Sequence, residues 1–220
     1  MTLLIDTVKV IVSINYHLSY VIFMQLHPSY LLLASSSPRR SELLRRMGLK
    51  FRVFPPATEE CDLFDNGPEQ MVLKNARLKA DSLSNGRFKD ALVVGSDTTV
   101  ALDGIALGKP LDIPSARKML QQLSGRHHTV YTAVALRWIN GNFIHEFYES
   151  SRVHFKDIDS ATIDHYFTIV NPLDKAGSYG IQAGRDLIIK SVEGSIENVM
   201  GLPTQSLAKI FNQRNFNFAE

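Results

Sequence analysis

Three stretches of the 220-residue chain carry side chains of the kinds that handle phosphate, hard cations or protons. The first is Ser35-Ser36-Ser37-Pro38-Arg39-Arg40, where an apolar run gives way to the start of a helix. A helix N-terminus offers free backbone N–H groups and a partial positive charge, and three hydroxyls with two guanidiniums beside it suit phosphate oxygens. A capped surface helix with solvated arginines fits the same residues. The second is Asp97, at the carboxyl end of an apolar strand, in company with the acid pair Glu59-Glu60 and with Lys79 and Lys109. A carboxylate there holds a metal, takes a proton or caps a turn by bonding nearby backbone N–H groups. An acidic pair with a basic set can bind Mg²⁺, orient a water and offset charge on phosphate oxygens. The third is the glycine-rich segment Asp174 to Gln182, where Tyr179 and Gln182 offer an aromatic face and an amide for a nucleobase edge. A structured loop that packs Tyr179 into the core fits that segment equally well.

Other candidates carry less. The glycines and lysine of Gly104 to Lys109 are one residue short of a Walker loop and lack its Ser or Thr. His127 and His128 have no second ligand pair at metal-binding spacing and read as strand residues. Cys61 reads as incidental, and Trp138 as core.

These groups need a scaffold, and from Tyr30 onward strand and helix patterns alternate. The run 30–34 is short and wholly apolar, as a buried strand is. Ser37 as N-cap, Pro38 and the Leu43, Leu44, Met47 stripe predict a helix that Gly48 closes. A strand over 51–54 follows. Pro68 opens a second helix with Met71, Val72, Asn75, Ala76 and Lys79 on one side, and 91–102 gives the strongest strand signal. Asp103-Gly104 is a hairpin turn. A helix over 115–125 with Met119, Leu120 and Leu123 inward comes next, then a hairpin about Asn140-Gly141, a helix, the glycine-rich loop, a strand over 186–192 and a helix from Pro203. The fold class is α/β, a mixed twisted sheet with helices on its faces.

The composition is 45% hydrophobic and 21% charged, which suffices for a real core and excludes disordered and low-complexity classes. A net charge of +2 implies neither nucleic-acid nor membrane binding, and one cysteine makes no internal disulfide. A cytoplasmic protein is the expectation. Residues 1–23 are apolar, but Asp6, Lys9, Asn15 and His17 interrupt them, and the basic start and small cleavage residues of a signal peptide are missing. They read as an extension or a disordered leader, with Met24 as the working start and 24–220 as one catalytic domain.

The motifs SSSPRRSELL, the acidic pair, ARLKA, VVGSDTTV, GKP, LSGRHHTVYTAV, DKAGSYGIQ and NVMGLP occur in an order that resembles the Maf family of nucleoside triphosphate pyrophosphatases, over about residues 30 to 210. The resemblance implies an elongated, two-lobed fold with a central cleft. It also implies hydrolysis of a nucleoside triphosphate to the monophosphate and pyrophosphate. By resemblance Asp97 matches the proton acceptor and Glu60 a metal-binding glutamate, the two holding Mg²⁺ or Mn²⁺. Ser35, Ser37, Arg39 and Arg40 match the phosphate loop, Lys79 and Lys109 the basic residues of the KA and KP motifs, and Arg39, Thr98 and Gln182 the positions tied to base choice. YGIQ resembles the branch acting on dTTP and UTP. The alternatives are the 7-methyl-GTP branch and a nucleotide-binding regulator of cell division acting by contact. A homodimer is compatible with the resemblance. Ala183, Ser178 and Pro56-Ala57-Thr58 depart from the family's wording.

Overall fold

The computed structural model describes residues 8–12, 20–24, 27–61 and 66–219. Val8–Val12 (β1) pairs antiparallel with Tyr20–Met24 (β2) in a small sheet of its own. The boundary read between residues 23 and 24 therefore falls inside a strand, while residues 1–7 and 13–19 of that extension lie outside the described residues.

Tyr30–Ala34 (β3) is apolar throughout and buried from Leu31 on, as suits a parallel strand covered on both faces. It leads through the serines into Pro38–Arg46 (α1), whose Leu43 and Leu44 are buried, and Phe51–Val53 (β4) returns parallel to β3. Pro68–Leu83 (α2) buries the predicted stripe, Asn75 and Lys79 included. Ala91–Leu102 (β5) also runs parallel to β3, and Asp103-Gly104, both at positive φ, fold Ile105–Leu107 (β6) back on its end.

Ile113–Leu123 (α3) precedes His127–Trp138 (β7) and Phe143–Phe155 (β8), an antiparallel hairpin in which β7 also pairs with β5. Ser160–Ile169 (α4), a 3₁₀ turn at Ala176–Ser178, Arg185–Ile188 (α5), Ile189–Glu193 (β9), Ile196–Met200 (α6) and Thr204–Gln213 (α7) complete the chain. The main sheet has seven strands in the order β4-β3-β5-β7-β8-β9, with β6 on β5. The fold is mixed α/β, and among the described residues no helix is long and apolar enough to cross a membrane.

The register leaves a gap where the chemistry sits. β3 ends with Ala34 opposite Gly95, and β6 begins its pairing with Leu107 opposite Val100. Ser96 to Thr99 therefore have no strand beside them on that edge, although β7 pairs with them along the other. Ser35 lies just past the end of β3, and Lys109 two residues past β6.

Helix α2 lies close against β5 at Gly95. A Cβ there would stand 2.3 Å from the Ala76 carbonyl oxygen and 2.6 Å from the Ala80 nitrogen, both backbone atoms of α2. The same turns of the helix are tied to the hairpin: buried Arg137 reaches Asp81 at 2.6 Å and also bonds Glu146, which Arg77 grips through two bonds of 2.9 and 2.7 Å.

Three local expectations need correction. The segment 186–192 is not one strand: Gly184, in the left-handed region, starts a helical turn over 185–188 before β9 begins. A short apolar run does not by itself distinguish the two. Helix α3 begins two residues early because Asp112 and Ser115 form a reciprocal capping box, and Met119 on it is only half-buried. The sequence reading also missed α6, which Ser195 caps by accepting from the Asn198 N–H.

Because any side chain at position 95 would meet backbone, Gly95→Ala is expected to cost about 3 kcal/mol and to lower the thermal midpoint by about 10 °C. A calorimetric midpoint equal to that of the parent would show that helix and strand can part freely.

Candidate active site

The α1 tip is organised by Ser35. Its buried hydroxyl accepts from the Ser37 N–H at 3.1 Å and from Arg40 at 3.2 Å. Ser37 occupies the N-cap position but makes no capping bond, which corrects the sequence expectation: the serine hydroxyl engaged at the helix tip is that of Ser35, which binds the N–H of Ser37 itself and Arg40. Arg40 also donates from Nε to the Gly201 carbonyl at 2.9 Å and from Nη2 to the Thr98 hydroxyl at 3.0 Å. Burial lowers the proton affinity of its guanidinium, Asp97 opposes that, and Arg39 adds to it. Arg39 is half-buried and stands 3.8 Å from the Asp174 carboxylate.

Across the strand gap, Asp97 and Lys79 are both buried, and the Lys79 ammonium donates to Asp97 Oδ1 at 2.6 Å. The same ammonium lies 2.8 Å from Glu60 Oε1, so one cation joins both carboxylates. Partial burial pushes the Glu60 carboxyl up, but its bond to Lys79 and the charges of Lys79, Lys109 and Arg40 outweigh that and hold it below the usual range. Asp97 Oδ2 accepts from the Asn75 side-chain amide at 3.1 Å.

Both groups open onto one cavity of about 430 Å³, within the range for a nucleotide-sized ligand. Of the residues singled out from the sequence, Ser35, Ser37, Arg39, Arg40, Glu60, Lys79, Asp97, Thr98, Lys109 and Tyr179 line it. Gln182 does not: it is exposed, and Ile181 before it is the lining residue. Asp174, Lys175, Met200 and Gly201 line the cavity too and were not singled out for that role.

Tyr179 reconciles the two readings left open for it. Its ring packs edge-on against Phe155 and His128, with its hydroxyl 2.6 Å from His128 Nε2, while the residue forms part of the cavity wall. Asn75 escaped notice because it reads as one more position on a helix stripe. Its signal was polarity on an otherwise apolar face.

The chain is similar to known proteins over most of its length. Residues 30–214 match the family described as Maf-like protein. The chain is 41% identical over 187 residues to the dTTP/UTP pyrophosphatase of Pelotomaculum thermopropionicum, covering 85% of this chain and 97% of that protein. It is 41% identical over 181 residues to the dTTP/UTP pyrophosphatase of Akkermansia muciniphila, covering 82% and 94%. The chain belongs to the Maf family. In this Maf protein the matched region begins with β3, so the cavity and every residue that lines it fall inside it.

The layer beneath the Maf cavity contains a titratable group held neutral. His128 is 2% exposed, its Nδ1 has no partner among the described residues, and burial, with His127 and His154 adding, lowers its pKa to about 3. An unfolded chain takes up that proton near pH 6.5, whereas the folded one refuses it until about pH 3. Stability from this group is therefore complete above pH 6.5 and lost as the pH falls. Between pH 7 and 5, above the range in which unfolded carboxylates titrate, it amounts to about 2 kcal/mol. Urea unfolding midpoints at those two pH values should differ less in His128→Gln than in the parent, and equal differences would show that His128 is protonated in the fold.

Proposed function

We propose that this protein hydrolyses dTTP and UTP to the monophosphate and pyrophosphate, in the cytoplasm, with a divalent cation, Mg²⁺ or Mn²⁺. The observation that carries the reading is the Lys79 bridge between Glu60 and Asp97, facing a cavity that Arg39, Arg40 and Lys109 also line. The names of the relatives supply the nucleotides, and the site supplies chemistry that suits a phosphoanhydride.

The residues fit a hard cation. Two carboxylate oxygens already converge on one positive centre. Among the described residues no group of three or more His, Cys, Asp or Glu side chains is suited to a metal. Glu60 and Asp97 would thus hold the ion as a pair, and waters and phosphate oxygens would fill the remaining positions, as is usual for Mg²⁺. Charge points the same way. Five cationic and three acidic side chains line the cavity, an excess of two, against roughly four negative charges on a triphosphate. When bound, the ion would polarise phosphate oxygens and supply the missing positive charge.

The chain's own groups account for the remaining steps. Arg39, Arg40, Lys79 and Lys109 hold the phosphate oxygens and offset the charge that grows on them as the bond breaks. Ser35, Ser37 and the α1 tip add neutral donors. Asp97 takes the proton of the attacking water as its oxygen bonds to phosphorus, and pyrophosphate leaves with the electrons of the bridging bond. Arg39, Thr98, Tyr179 and Ile181 border the space left for sugar and base, with Gln182 beside it.

Pyrophosphate release measured over dTTP, UTP, CTP and 7-methyl-GTP is expected to favour dTTP and UTP. Asp97→Asn should lower turnover by about 10²-fold or more while the fold persists. Full turnover in Asp97→Asn would remove the base, and a preference for 7-methyl-GTP would move the protein to the other branch of the family.

A further inference from the structure

The segment that carries Glu60 has no regular secondary structure from Phe54 to Cys61, yet it must keep Glu60 within reach of Asp97. Lys79 holds it by the exposed end of a side chain. Asn75, one helical turn earlier on α2, holds it by backbone. The Cys61 N–H donates to Asn75 Oδ1 at 2.7 Å, and Asn75 Nδ2 donates to the Cys61 carbonyl at 3.1 Å. The amide thus pairs with that peptide much as a neighbouring strand would. Nδ2 also donates to Asp97 Oδ2 at 3.1 Å. The orientation is forced, since reversing the amide would put its NH₂ against the Cys61 N–H and leave an oxygen facing two oxygens.

Asn75 is 3% exposed and meets the carboxylate from the side opposite Lys79, so each Asp97 oxygen has its own donor from α2. A carboxylate gripped at one oxygen can turn about its terminal bond, whereas one gripped at both presents fixed lone pairs to the cavity. Few side chains can do this. Leucine would take this amide away from the Cys61 peptide and from Asp97 Oδ2, aspartate would offer no donor and set like charges together, and glutamine is one methylene too long.

We infer that Asn75 is a positioning residue for the hydrolytic reaction: its amide fixes the rotation of the Asp97 carboxylate and, through the Cys61 peptide, the reach of Glu60 toward it. The inference rests on the reading of Asp97 as proton acceptor. Among the described residues Asn75 hydrogen-bonds no cavity side chain except that of Asp97, so its loss should slow the chemical step without weakening nucleotide binding by Arg39, Arg40 and Lys109.

The test is dTTP hydrolysis by Asn75→Leu, Asp97→Asn and the double variant, with thermal unfolding of each. Asn75→Leu should lower kcat by about 10²-fold with KM for dTTP unchanged, the scale on which small displacements of a reacting group act. In the Asp97→Asn background the same change should cost almost nothing further, because residues that act as a unit are not additive. If Asn75→Leu fails to fold, Asn75→Ala, which removes the amide without adding a charge or bulk beside Asp97, replaces it with the same expectations. Unchanged kcat, a parallel loss in KM, or full additivity with Asp97→Asn would overturn the inference. Wild-type turnover in Asp97→Asn alone would instead remove the reading beneath it, whatever Asn75 does.

Discussion

The site depends on one buried cation between two carboxylates. Lys79 and Asp97 sit at 5% and 6% exposure, where an unpaired charge costs several kcal/mol and where removing one partner commonly costs about 3–5 kcal/mol. Without the ammonium, Glu60 and Asp97 would repel each other, and the irregular segment that carries Glu60 would keep only its backbone tie to Asn75 to oppose that repulsion. Such a pair needs its two elements at a fixed distance. Gly95 provides that by letting the α2 backbone approach β5 more closely than any side chain would permit. The Arg137, Asp81, Glu146 and Arg77 network ties the same turns of the helix to β7 and β8, and it holds Glu146 ionised, with a pKa of about 2, chiefly through its bond to Arg77.

Much of this was legible in the sequence. The strongest strand signal, 91–102, is β5, and the helix predicted to open at Pro68 presents Lys79 on the face that meets it. The serine-arginine tip and the acidic pair could be recognised as phosphate and cation chemistry because side-chain type and position at an element's end carry that information locally. Which of Ser35 and Ser37 would be engaged at the helix tip could not be told, since both precede the helix and the choice depends on where Arg40 goes. Arg40 goes to Gly201 and Thr98, 161 and 58 residues away, which local pattern does not encode.

The same limit explains the remaining misses. Asn75 and Lys79 lie four apart on one stripe, and nothing in a single sequence says that a polar residue there faces a carboxylate and a peptide rather than water. The segment 186–192 is apolar enough for strand or helix, and the packing of Gly184 against Tyr166 decides the matter. For Gln182, motif position proved a poor guide to side-chain direction: the chain brings Ile181 to the cavity and leaves Gln182 outside.

The placement of the cavity follows from strand ends rather than from loops. Along Ser96, Asp97 and Thr98 the pleat sends neighbouring side chains to opposite faces. Asp97 meets Lys79 and Asn75 of α2, while Ser96 bonds the Gly201 carbonyl at 3.0 Å and Thr98 meets Arg40. Gly201 in turn receives Arg40, and Thr132 on β7 bonds the Asn198 carbonyl at 2.7 Å while its hydroxyl lies 3.0 Å from that of Thr98. One strand therefore carries the acidic group on one face and the anchor of the basic group on the other, and the spacing between them is set by a single pleat. That spacing cannot drift as loop-borne groups do. It is usable only because β3 stops opposite Gly95 and β6 pairs only from Val100 onward, since a strand continuing through the gap would fill the edge along which a triphosphate would have to lie.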